Sequence, residues 1–270
     1  ANILIGTSAG AVLATLLGSG ISVDQLLACQ QGTSEQCRWD HDSDSGGALP
    51  PLPGARFTGA KLALKGLRGD VSPLTAFCGL LPRGQFDMAP FRQLVDDATG
   101  GADWVAHPAT WIMAVDTTSG KRVAFGKGGA PQAHIRDAVC ASYGVPFWCP
   151  PVTLGSRTYI DGGVASPTSA DLLMDSAVDE VIILAPMASQ QPDKPRSPLA
   201  AIERRVRRYM TGIVDREVNK LEKAGKRVIR LEPNADDLKA FGFNMMDPAR
   251  RRQVLDTALV TTPVTVQNAL

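Results

Sequence analysis

Ile3-Leu4-Ile5-Gly6-Thr7-Ser8-Ala9-Gly10-Ala11-Val12-Leu13-Ala14-Thr15-Leu16-Leu17 opens with three apolar residues, passes through a Gly-x-Ser-x-Gly turn and continues as an Ala/Leu run. That order predicts a buried strand, a tight turn and a helix, the arrangement of a nucleophile elbow. The turn forces the serine into strained backbone geometry, so Gly6 and Gly10 must be glycine or very small. It also lifts the hydroxyl above the sheet edge at a helix N-terminus. Ser8 is then placed to attack an acyl carbon, with the backbone N–H of Ala9 as an oxyanion donor. The same residues also fit an ordinary glycine-bounded strand-to-helix turn with a capping serine.

A serine nucleophile needs a base. In an α/β-hydrolase the chain order is Ser, acid, then a late His. Here the histidines are His41, His107 and His134, and none lies in the last 136 residues. A triad would have to draw on Asp40, Asp103 or Asp116, which lack the setting that favours such a role. Asp161 fits better. Arg157-Thr158-Tyr159-Ile160-Asp161-Gly162-Gly163-Val164 is a short β segment ending in an acid and two glycines, which let the backbone turn sharply and another group approach the carboxylate. Read alone, Asp-Gly at this point is also the signal of a type I′ hairpin turn.

Gly-x-Ser-x-Gly followed about 150 residues later by Asp-Gly-Gly is the paired signature of the patatin-like phospholipases, which this chain resembles. Ala141-Ser142-Tyr143-Gly144-Val145-Pro146-Phe147-Trp148-Cys149-Pro150-Pro151-Val152 resembles the Ala-Ser, Pro, Pro-Pro stretch before their aspartate, and residues 110–125 resemble a strand, turn, strand unit midway through them. The resemblance runs from Ala1 to about Met187. It implies a three-layer α/β/α sandwich with a mainly parallel central sheet. It also implies a serine lipid acyl hydrolase that cleaves carboxylic esters of phospholipids or other acyl lipids, without metal or organic cofactor. Ser8 would be the nucleophile and Asp161 the base that takes its proton and returns it to the leaving alcohol, through an acyl-enzyme. Partial burial would raise the Asp161 pKa above the roughly 3.9 of a free aspartate.

Pro146, Phe147 and Trp148, just before the Asp161 turn, are the candidate wall of an acyl pocket, core packing being their other use. The family pattern also carries a glycine-rich loop and a helix upstream of the elbow, which supply most of the oxyanion hole, whereas seven residues precede Ser8 here. The expectation is that the N-terminal strand, loop and helix are missing, leaving the chain poorly soluble and weakly active. A catalytically idle lipid-binding or interaction protein is the alternative. Ser166-Pro167 stands where the family has Asn-Pro, and either residue can cap a helix that Pro167 opens.

Composition sets the outer bounds. A chain of 270 residues with 44% hydrophobic content can bury a large core, and a single domain over 1–270 is expected. With 28 basic and 27 acidic residues there is no global field for nucleic acid. The longest apolar run, Val181 to Ala188, falls far short of the roughly 18 residues that span a bilayer, and reads as a core strand buried on both faces. Five cysteines without C-x-x-C spacing fit a reducing, cytoplasmic setting, with Cys29 and Cys37 close enough to bridge.

The polar stretch from Gln30 to Arg56 is long enough to form a lid. Its Asp40-His41-Asp42-Ser43-Asp44 piece lacks the glycine and glutamate of a calcium loop. Residues 198–224 predict a long helix with Ile202, Val206, Met210, Ile213, Val214, Val218 and Leu221 on its apolar face. Its Arg204, Arg205, Arg207 and Arg208, with Arg250, Arg251 and Arg252 further on, form either a solvated face or a patch that docks on anionic headgroups at a membrane surface.

Overall fold

The computed structural model describes residues 1–34, 50–191, 195, 197–244 and 246–270. The centre of the candidate lid, with Cys37, Asp40, His41, Asp42 and Asp44, lies outside the described residues. The chain divides into two compact units, Ala1–Ala165 and Ser166–Leu270.

In the first unit β1 (Leu4–Thr7) runs directly into α1 (Ala9–Gly18), as the opening stretch predicts. Helices α2 (Val23–Gln31), α3 (Ala60–Leu67), α4 (Pro73–Leu80) and α5 (Ala89–Thr99) follow. Then come β2 (Thr110–Asp116), β3 (Arg122–Phe125), α6 (Ile135–Ser142), β4 (Val152–Leu154) and β5 (Arg157–Asp161). The strand order is β1-β2-β5-β4, with β3 also paired to β2.

Only β1 and β2 are parallel, so the sheet of this α/β unit is mixed where a mainly parallel one was expected. The reason lies in the connections. β2 joins β3, and β4 joins β5, through turns of a few residues, which only antiparallel neighbours allow. β2 decides the site. Its Met113 is opposite Thr7 of β1 and its Ala114 is opposite Asp161 of β5, so the residue before Ser8 and the aspartate lie on adjacent rungs of one buried strand.

The pleat of β2 sends successive side chains to opposite faces. Ile112 and Ala114 pack with Ala11 and Val12 of α1 and Ile135 and Val139 of α6. Val115 packs with Ile160, Leu62 and Cys78, which brings α3 and α4 onto the other face. Helices cover both faces of the sheet, giving three layers.

The second unit contains β6 (Glu180–Leu184), α7 (Pro198–Lys223) and β7 (Arg227–Leu231), a β-α-β unit with parallel strands, followed by α8 (Ala235–Phe241) and α9 (Arg251–Ala269). β6 is not buried on both faces: Val181 and Ile183 are inside, whereas Ile182 and Leu184 are more than half exposed. In α7, Met210, Ile213, Val214 and Leu221 are buried as expected, but Ile202 and Val206 face outward while Arg204 and Arg207 turn in.

Acceptors explain the rotated face. The Arg204 guanidinium donates at 3.0 Å to the Leu238 carbonyl of α8, which also accepts from the Gly242 N–H, and Arg207 donates to the Pro186 carbonyl. Both also pair with Glu203. Half of the arginine cluster on this helix is therefore structural. Pro167 does not open a helix; the Ser166 hydroxyl instead donates to buried Glu217 at 2.6 Å, joined there by the Thr168 hydroxyl and the Ala170 N–H.

Candidate active site

Ser8 sits between β1 and α1 with φ 55° and ψ −122°, one of three non-glycine residues at positive φ among the described residues. Such a conformation persists only where its surroundings over-determine it. Two bonds do so. The Ser8 N–H donates to the Ser142 hydroxyl at 2.9 Å, and the Ser8 carbonyl accepts from the Ala11 N–H at 2.8 Å. Ser142 is fully buried at the end of α6, 134 positions away in sequence.

The two flanking glycines differ. A Cβ on Gly6 would lie 2.3 Å from the Gly10 carbonyl oxygen, so the strand and helix could not meet so closely with any other residue. A Cβ on Gly10 would meet nothing within 4 Å, contrary to the expectation that packing demands a small residue on both sides. The space above Gly10 is open. Among the described residues the N–H groups of Ala9 and Gly10, in the first turn of α1, have no internal acceptor, as the first turn of a helix leaves them.

Asp161 ends β5 and is buried. It accepts from the Gly163 N–H at 2.6 Å, and the Ser8 hydroxyl lies close enough to draw its pKa down. Burial pushes its pKa up to about 6 against the opposing pull of the Ser8 hydroxyl and the Gly163 N–H. Gly162 to Val164 form a short 3-10 turn rather than a hairpin, which disposes of the type I′ reading. Gly162 is required by contact, because a Cβ there would sit 2.6 Å from the Met113 carbonyl oxygen. A Cβ on Gly163 would stand 3.0 Å from the Asp161 carboxylate.

The site's remaining neighbours are weak acids kept neutral. Burial pushes Cys78 up to about 11 and Cys149 up to about 12, with the charge of Asp161 adding to the effect. Tyr143 is raised for the same reasons, burial first. None of these, nor Ser142, is marked as a site residue by spacing. The only signal is that Ser142, Tyr143 and Cys149 lie in the stretch that resembles the family before Asp161.

The histidines are engaged elsewhere. His107 meets the Thr110 hydroxyl at 3.1 Å and the Ala1 carbonyl at 2.9 Å, and His134 faces Asp103 at 3.5 Å. His41 lies outside the described residues. Asp116 holds its own turn: burial would raise its pKa, but the N–H groups of Thr118 and Ser119 and the Arg157 guanidinium, 2.7 Å away, bring it below the usual range.

Pro146, Phe147 and Trp148 follow α6 in a strained turn where Phe147 has φ 74° and is 37% exposed. Trp148 packs against the main core, and its Nε1 is buried without a partner among the described residues. A cavity of about 360 Å³ under Met88 and Pro150–Leu154 includes neither Ser8 nor Asp161. Among the described residues no three His, Cys, Asp or Glu side chains gather as metal ligands would.

Fold and site together define an α/β protein with a strained serine at a strand-to-helix turn and a buried carboxylate beside it. The family model Patatin-like phospholipase matches residues 1–174, more than half of the chain, and the chain belongs to that family. It is a family of lipid acyl hydrolases. No curated protein matches the chain.

Proposed function

We propose that the chain hydrolyses carboxylic esters of phospholipids or other acyl lipids with Ser8 as nucleophile and Asp161 as base. The observation that carries this reading is the strained Ser8 at the end of β1 with the buried Asp161 carboxylate beside it at the end of β5, close enough for the Ser8 hydroxyl to draw its pKa down. Ser8 Oγ attacks the acyl carbon as its proton passes to Asp161. The resulting oxyanion accepts the Ala9 N–H at the positive end of α1, and Asp161 returns the proton to the alcohol as the C–O bond breaks. Water then attacks the acyl-Ser8 ester, gives its proton to Asp161 and releases the fatty acid, and the proton returns to Ser8 Oγ.

Phe147 and Trp148, with Pro146, supply apolar surface for the acyl chain in this proposal; the strained backbone at Phe147 supports a functional rather than a purely structural turn. The buried free thiols Cys29, Cys78, Cys140 and Cys149 fit a reducing cytoplasmic setting.

The test is hydrolysis of a short-chain ester. Ser8→Ala and Asp161→Asn should each abolish it, and the double variant should be little worse because the pair acts as a unit. Fluorophosphonate should label Ser8 alone, and His107→Ala and His134→Ala should keep most of the rate. A folded histidine variant as inactive as Ser8→Ala would overturn the dyad.

A further inference from the structure

Among the described residues, the α3–α4 hairpin buries one face and leaves the other without a partner. Leu62, Cys78 and Gly79 point inward, and the two helices cross so closely that a Cβ on Gly66 would fall 2.2 Å from that of Ala76. On the outer face Leu64 and Leu67 of α3, Phe77 and Leu80 of α4 and the preceding Phe57 are each at least half exposed, Leu67 to 86%. Single exposed apolar residues are ordinary. Five of them within 24 residues are not.

Charge indicates what covers them. Residues 52–83 carry Arg56, Lys61, Lys65, Arg68 and Arg83 against a single acid, Asp70, in a chain whose net charge is only +1. Arg56, Lys61 and Arg68 are exposed, and Lys61 and Arg68 lie on the same side of α3 as Leu64. Apolar side chains ringed by cations match an anionic lipid interface, where the apolar groups enter the acyl boundary and the cations meet the headgroups. The hairpin is also tied to the catalytic turn. The Thr75 hydroxyl of α4 donates to the Val164 carbonyl at 2.8 Å, and Cys78 packs with Ile160, the residue before Asp161.

We propose that the outer face of the α3–α4 hairpin is the docking surface through which this chain settles on an anionic phospholipid bilayer. The identity of the surface rests on the lipid-ester reading; the docking itself does not. It differs from the arginine patch expected on α7, half of which is turned inward.

The test is co-sedimentation of the full chain, as Ser8→Ala so that the lipid is not consumed, with phosphatidylcholine vesicles with and without phosphatidylserine. Binding should require phosphatidylserine and weaken with salt. Arg56→Gln/Lys61→Gln/Arg68→Gln should lower affinity about a hundredfold, about fivefold per cation. Leu67→Ser/Phe77→Ser should lower it more than tenfold. In the Ser8 background that last variant should hydrolyse a soluble short-chain ester at the parent rate yet lose activity on vesicles.

Unchanged vesicle binding by both variants would overturn the proposal, as would sedimentation velocity showing a dimer without lipid that Leu67→Ser/Phe77→Ser dissociates. Failure of the hydrolase reading looks different: binding would persist and the soluble ester would remain intact in every background.

Discussion

As the base we propose, Asp161 meets two opposed demands, since a base must be ionised and a buried carboxylate resists ionising. With its pKa near 6 the rate should rise about tenfold per pH unit below that value and level off above it. The same shift acts on stability. The folded chain binds this proton more tightly than an unfolded one, whose aspartate titrates near 3.9, so the contribution is fully present below about pH 4 and is lost as pH rises through 6. Two pH units correspond to on the order of 3 kcal/mol. Asp161→Asn should therefore resist urea better than the parent at pH 7 by up to that amount, with the gap closing below about pH 4. Equal urea midpoints at both pH values would mean that the carboxylate is not desolvated. The turn at Ser8 with its Gly6 and the strand end at Asp161 were legible in the sequence because each is a local pattern, whereas the reason for Gly162, the Met113 carbonyl against it, lies 49 positions away. Gly10 was misread because its surroundings are open, which only the packed structure reveals.

At the scale of elements, the strained Ser8 depends on α6. Ser142→Ala would leave the Ser8 N–H without its acceptor, costing about 1–3 kcal/mol. If Ser142 positions the nucleophile, kcat and fluorophosphonate labelling should fall together at unchanged KM. A purely structural role would lower the melting temperature and leave both rates, per folded molecule, as they were. Nothing in the sequence announces this bond, because its partners are remote along the chain and meet only through β2. The long helix α7 teaches a related lesson. Its apolar spacing is legible from Met210 to Leu221, whereas its first turns bury Arg204 and Arg207, whose aliphatic stems pack while their guanidinium groups reach carbonyls contributed by other segments. Arg207→Leu should cost about 1–3 kcal/mol in urea unfolding, since it leaves the Pro186 carbonyl without this donor while Glu203 keeps Arg204.

For the whole molecule, length leads us to propose one cooperative domain, while the fold gathers into two compact units. All four tryptophans lie within residues 1–165, so their fluorescence follows the first unit alone and far-ultraviolet circular dichroism follows both. Coincident melting curves would make 1–270 a single cooperative domain; separated ones would make it two. The α/β class was legible from the strand-turn-helix opening, but the mixed sheet was not, because strand order depends on which segments meet in space. The bond from Ser8 to Ser142 also sets a schedule. On the ribosome Ser8 emerges long before Ser142 and Asp161, and at about 5–20 residues per second the wait is on the order of ten seconds. Through that interval the nascent chain has a serine with neither its brace nor the carboxylate proposed as its base, so on the proposed mechanism ester hydrolysis can first arise only after almost the whole first unit has been made.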